Sequence, residues 1–177
     1  MNNLKSWHTN ILKIDSIYKA SFINSLQIPK INKVVINISS KSIIENPKSI
    51  LYFVIALKLI SNQSPIICKA KKSIALFKIR KGMIIGSKVT LRNEFSYNFL
   101  SLFIPLVLPN LKKLKPLNVT KGSLSIGIRE LLIFPQLNEY YDKFPKNMSG
   151  IINISLDTQK TKLSKMVFSS FQLPIKQ

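Results

Sequence analysis

The 177-residue sequence has one cysteine, Cys68, one histidine, His8, seven acids and three arginines. A lone cysteine excludes an internal disulfide, and one thiol with one imidazole cannot build a Cys/His metal cage, so no cofactor is expected. Cys68 sits in PIICKA among apolar neighbours and reads as a buried, inert thiol. His8, close to the start, reads as a residue without a role. The acids are scattered through expected helices and loops with no histidine beside them, which leaves general acid–base chemistry without its parts. No enzyme is expected.

Other signals are missing too. MNNLKSWHTNILKID has neither the continuous apolar core of a secretory signal nor the arginine richness of a mitochondrial transit peptide. KGMIIGSK (Lys81 to Lys88) fails as a nucleotide-binding loop, because three residues rather than four separate its glycines and Ser87 precedes Lys88. Phe95 to Leu111 is an uncharged run of 17 residues, short for a bilayer and broken by Pro105, Pro109 and Asn110. It reads as a buried core helix, not a membrane span.

What the chain has is positive charge: 27 Lys plus Arg against 7 Asp plus Glu, a net +20. Such an excess describes partners rather than fold, and polyphosphate is the leading candidate. At 46% hydrophobic content the chain can bury a core and should fold. Of the basic residues, 27 − 3 = 24 are lysine, and Ile, Asn, Phe and Ser are abundant. Their codons are A/T-rich, as in an organellar genome. The charge is densest in KAKKSIALFKIRKGMIIGSKVTLR (Lys69 to Arg92), with eight cations and no acid.

Periodicity gives the elements. Leu4, Trp7, Ile11, Ile14 and Tyr18 recur at helical steps and predict a short amphipathic helix. INKVVINIS (Ile31 to Ser39) reads as a strand, and Asn46-Pro47 opens a helix to Ser61 that is apolar nearly all round. PIICKAKK (Pro65 to Lys72) and IIGSKVTLR (Ile84 to Arg92) predict a hairpin holding out a basic loop. A helix from Glu94 to Leu108, strands at Ser123 to Ile128 and Ile151 to Asp157, and a helix from Thr158 to Phe171 with Leu163, Met166, Val167 and Phe171 on one face complete the order. The class is α+β, a single domain over 1–177: a mainly antiparallel sheet with helices on one face and the other free for a partner. Lysines neutralise phosphates while Asn, Gln and Thr bond base edges and the 2′-OH, so RNA is the expected ligand.

ISNQSPIICKAKKSIALFKIRKGMIIGSKVTLR (Ile60 to Arg92) resembles, without a gap, the central signature of the universal large-subunit ribosomal protein five family, the "L-five" family. IPKINKVVINIS, SLSIGIRELLIFPQLNEYYDK and the C-terminal strand and helix are similar to its flanking motifs. The likeness covers a core of residues 26–175, leaving 1–25 as an N-terminal helical extension. Ile84 and Leu76 replace a family proline and glycine.

The resemblance implies a structural constituent of the large ribosomal subunit, bound to 5S rRNA in the central protuberance. It implies Asn37, Gln63 and Thr90 as 5S rRNA contacts, with Lys69, Lys71 and Arg92 beside them, and the Ser73 to Lys81 segment, with Phe77, Lys78 and Arg80, as a loop touching peptidyl-site tRNA. Further implied partners are large-subunit rRNA, a small-subunit head protein of the S-thirteen family in an intersubunit bridge, and neighbouring central-protuberance proteins. The composition and the likeness together place it in an organellar ribosome, mitochondrial rather than plastid. The competing reading is a free basic RNA chaperone or a peripheral membrane protein.

Overall fold

The structure, a computed structural model, describes residues 3–20, 24, 27–111, 116–145, 148–158 and 160–176. The basic connector expected after Leu111 falls partly on 112–115, outside the described residues. Among the described residues six strands, β1 (Ile31–Ser39), β2 (Ile66–Lys69), β3 (Ile84–Leu91), β4 (Val119–Thr120), β5 (Ser123–Ile128) and β6 (Gly150–Leu156), form one sheet in the order β2-β3-β1-β6-β5-β4. The β2–β3 and β4–β5 pairs are antiparallel. The α+β class expected from the sequence is the class observed. No helix among the described residues is long and apolar enough to cross a membrane.

Strict alternation in the strands decides their orientation. Val34, Ile36 and Ile38 on β1, Val89 and Leu91 on β3, Leu124, Ile126 and Ile128 on β5, and Ile152, Ile154 and Leu156 on β6 are all buried. The residues between them are exposed or half-buried, among them Asn37, Lys88, Ser125 and Ile151. Successive strand side chains point to opposite faces, so one face meets the core and the other meets solvent. Each fully buried Ile or Leu contributes about 1.5–3 kcal/mol relative to exposure, ample to set the register.

By its contacts the chain divides into two compact units. The first comprises Met1–Val34, Leu91–Ile126 and Asn153–Gln177. Its N-terminal segment runs as α1 (Asn3–Trp7), a π-helical turn (His8–Leu12) and α2 (Lys13–Ala20). The wider turn rotates the helix face. His8, Leu12 and Ser16 are buried, whereas Ile11 is 56%, Ile14 55% and Tyr18 82% exposed, so the face expected from the apolar spacing is not the buried one. Helix α1 packs on α5 (Glu94–Leu102), where Lys5 pairs with Glu94 at 2.6 Å. The expected 94–108 helix is therefore α5 continued by a π-helical stretch, Phe103–Val107. Helix α6 (Thr161–Ser170) buries Ser164, Val167 and Phe168, with Phe171 beyond its end, while Leu163 and Met166 are half-buried. Lys121 and Gly122, both at positive φ, close the two-residue β4–β5 turn. A Cβ on Gly122 would overlap the Thr158 carbonyl oxygen.

The second unit comprises Val35–Thr90 and Gly127–Ile152. Ser40 caps the short α3 (Lys41–Glu45), its Oγ accepting from the Ser42 N–H at 3.3 Å. The expected 47–61 helix is a 3₁₀ turn at Pro47–Ser49 followed by α4 (Ile50–Ser61), ended by Asn62 in the left-handed region at φ 51°. Phe53, Ala56, Leu57 and Ile60 are buried, but Leu51, Tyr52 and Ile55 remain exposed, so the helix is not covered all round. It packs against the 3₁₀ segment Pro135–Lys143, whose Leu137 is fully buried.

Candidate RNA interface

Two regions of the second unit carry the polar and basic side chains singled out by the sequence. The first is the solvent face of the sheet. Asn37 is exposed between buried Ile36 and Ile38, and Thr90 is half-buried between buried Val89 and Leu91. Since β1 and β3 are neighbours in the sheet, both side chains stand on its solvent face, with exposed Lys88 on Thr90's side of β3. Gln63 lies in the exposed turn between α4 and β2, where its backbone N–H donates to Ser61 Oγ at 3.3 Å and its carbonyl accepts from the same hydroxyl at 3.1 Å. This pins the turn while the Gln63 side chain stays outside.

Asn37 also borders a shallow depression of about 310 Å³ lined by Ser39, Gly127, Arg129, Ser149 and Ile151. No acid lines it. Arg129 and Ser149 were not foreseen as site residues. Arg129, one of three arginines in a lysine-dominated chain, was the available signal, since a guanidinium offers a rigid fork to phosphate or guanine that lysine lacks.

The second region is the β2–β3 connection. Strand β2 is an edge strand shorter than expected, with a bulge between Cys68 and Lys69. Cys68 is half-exposed there, which corrects the expectation of a buried thiol: a short edge strand, paired only with β3, leaves its side chains largely uncovered. Beyond it the chain forms a small secondary hairpin. Ile74 and Ile79 exchange backbone hydrogen bonds at 2.9 and 3.1 Å around a 3₁₀ turn, Ala75–Phe77, that Lys78 closes at φ 55°. The Lys81 N–H donates to Ser73 Oγ at 2.9 Å, and the Gly82 N–H to the Ala70 carbonyl at 3.0 Å. The loop is thus shaped by its own backbone, while Leu76 at 85% and Phe77 at 61% exposure make no core.

Lys69, Lys71, Lys78, Arg80 and Lys81 are all exposed or half-exposed along this connection, and none forms an ion pair among the described residues. Arg92 is exposed directly after β3 and belongs to the first unit. Among the described residues no group of His, Cys, Asp and Glu could hold a metal ion.

An acid-free polar sheet face and a shaped loop of cations that form no ion pair among the described residues make a surface suited to a polyanion. The comparisons with known proteins specify the family. The family profile described as Ribosomal protein L5 matches residues 24–80, and the profile of the same ribosomal family's C-terminus matches 84–175. The chain is 40% identical to the large ribosomal subunit protein uL5m of Reclinomonas americana, covering 99% of this chain and 98% of that one. It is 42% identical to uL5 of Leuconostoc mesenteroides over 98% of this chain and 97% of that one, and 44% identical to uL5 of Caldanaerobacter subterraneus over 78% of each. The chain belongs to the L5 family of ribosomal proteins. It is a structural constituent of the large ribosomal subunit and not an enzyme.

Proposed function

We propose that the solvent face of the sheet binds 5S rRNA in the central protuberance of the large subunit, through Asn37, Gln63 and Thr90, with Lys69 and Lys71 neutralising phosphates beside them and Arg92 of the first unit supplying a further cation to the same RNA. The observation that carries this reading is the common placement of Asn37 and Thr90 on the solvent face of neighbouring strands, next to a depression with Arg129 and no acid. Amide and hydroxyl groups held on a rigid sheet can read base edges and 2′-OH groups, while lysines supply sequence-independent affinity.

The Ser73–Lys81 loop, with Phe77, Lys78 and Arg80, touches peptidyl-site tRNA. Its cations have no acidic partner within the described chain, and a site serving every tRNA needs phosphate contacts without base readout. Large-subunit rRNA, a small-subunit head protein of the S-thirteen family at an intersubunit bridge, and neighbouring central-protuberance proteins complete the surroundings. The ribosome is organellar and mitochondrial, a reading supported by the lysine-rich, A/T-codon composition and the likeness to a uL5m protein.

The test is capture of total ribosomal RNA by the full chain across a salt series, with sequencing of what stays bound. Retention of 5S rRNA above all other RNAs at raised salt supports the assignment. Equal loss of all RNAs with salt would overturn the assignment of this face to 5S rRNA.

A further inference from the structure

Gly127 stands inside strand β5 for no reason that the described chain itself supplies. It lies between buried Ile126 and Ile128, so its missing side chain belongs to the solvent face of the sheet. Its φ is not positive, which removes the conformational reason for a glycine. A Cβ added there would meet nothing within 4 Å, which removes the packing reason. The other glycines of this unit's strands differ: a Cβ on Gly86 would overlap the Ile38 carbonyl oxygen, and one on Gly150 would lie 3.1 Å from the Asn37 carbonyl oxygen. A glycine inside a strand weakens it, and one that neither turn nor packing requires marks a place where another molecule approaches the backbone.

The space kept open in this way belongs to the depression of about 310 Å³ that Gly127 lines with Asn37, Ser39, Arg129, Ser149 and Ile151. Its chemistry is mixed. Ile151, 49% exposed, offers an apolar surface, which suits the flat face of a nucleobase and not a phosphate. The exposed Arg129 guanidinium and Asn37 amide have no hydrogen-bond or ion-pair partner among the described residues. Paired guanidinium donors match the O6 and N7 acceptors of guanine, whereas adenine presents a donor beside its N7. Asn37 and Ser149 add an amide and a hydroxyl at the rim. In RNA only an unstacked nucleotide, in a loop or bulge, can lay its face on a protein surface in this way.

We propose that this recess receives one unstacked guanine of the bound RNA, its face over Gly127 and Ile151 and its O6/N7 edge on Arg129, which makes Arg129 the residue that selects the base. Resting on the assignment of this face to 5S rRNA, the recess adds to it the base and the selecting side chain.

The full chain and its Gly127→Ala, Gly127→Val and Arg129→Gln variants are compared in thermal melts and in 5S rRNA binding. The Gly127 variants should melt at or above the wild-type temperature, since the new side chain meets nothing and the strand loses a glycine. They should nevertheless bind 5S rRNA about tenfold more weakly or worse, the loss expected when a bidentate base contact is displaced. 5S rRNA carrying sparse 7-deazaguanosine, which lacks the N7 acceptor, then locates the base: bound and unbound fractions should differ at one guanine with the wild-type chain and lose that difference with Arg129→Gln. Undiminished binding by both Gly127 variants, or lower melting temperatures showing that the glycine serves the fold, would overturn the recess. A 7-deazaguanosine effect that persists in Arg129→Gln, or none at all while that variant only flattens the salt dependence, would overturn the guanine and leave a phosphate contact. A wild-type chain with no preference for 5S rRNA would remove the assignment of the face and the recess together, whereas a normal preference beside those results removes the recess alone.

Discussion

Gly86 on β3 lies so close to the carbonyl oxygen of Ile38 on β1 that a Cβ there would overlap that oxygen and press on Ser39 Cα at 3.1 Å. The neighbouring strands bring Asn37 and Thr90 to one solvent face, so this close approach supports the geometry of the proposed RNA contact. Gly86→Ala should lower stability by about 1–3 kcal/mol through overpacking, read by urea unfolding, because the obstacle is backbone that cannot rotate aside. Unchanged stability would mean the strands can separate there freely.

Asn37→Ala, Gln63→Ala and Thr90→Ala should each weaken 5S rRNA binding by about 1–3 kcal/mol, leaving an RNA group unpaired in a dehydrated contact. Asn37 and Gln63 are exposed, so their variants should unfold at the wild-type temperature. Filter binding with parallel thermal melts separates the two effects, and full affinity in all three variants would refute the contact.

The strands of this face were legible from the sequence. INKVVINIS reads as a strand from its β-branched residues, while the run Val34-Val35-Ile36 leaves to the structure which side is buried, with Val34, Ile36 and Ile38 inside and Asn37 outside. The N-terminal helix was misread because a single wider turn at His8–Leu12 shifts every later side chain around the axis, and nothing in a 3.6-residue period announces that insertion. Buried Ser16 and Ser164 satisfy their hydroxyls on the Leu12 and Lys160 carbonyls at 2.7 and 2.9 Å, so polar residues stand where an apolar stripe was sought. Strand β4, two residues long, is defined by its partner β5 and the Lys121-Gly122 turn rather than by any run of its own. Cys68 was misplaced because its apolar neighbours lie on an edge strand, a fact of topology that local composition does not carry.

Replacing Lys78, Arg80 and Lys81 together with Ala should reduce peptidyl-site tRNA affinity and flatten its dependence on salt, while 5S rRNA remains bound. The fold should survive, because the loop is held by backbone bonds such as Ile74–Ile79 and by Ser73 Oγ, not by these side chains. Release of 5S rRNA with normal tRNA binding would assign the loop to the other partner.

His8 gives the molecule one pH response near neutrality. Its folded pKa lies below the ordinary 6.5, chiefly through burial, so below about that pH the unfolded chain binds more protons than the folded one. Stability should therefore be level above pH 6.5 and fall as the pH drops through that value toward the folded pKa, with His8→Gln removing this slope. Glu94, lowered by its hydrogen bond and charge interaction with Lys5, acts in a separate and more acidic window, below 4.5. Urea midpoints at a series of pH values distinguish the two, and an identical slope in His8→Gln would exclude the histidine as its source.

The most direct measurement of the central claim is radical probing from the sheet face. A Cys68→Ser background leaves no native thiol, and Lys88→Cys, exposed on the same face as Thr90, then carries a tethered iron chelate into reconstituted large subunits. Strand cleavage concentrated in 5S rRNA is the expected result. Cleavage confined to other rRNA or to tRNA, with 5S rRNA intact, would contradict the account.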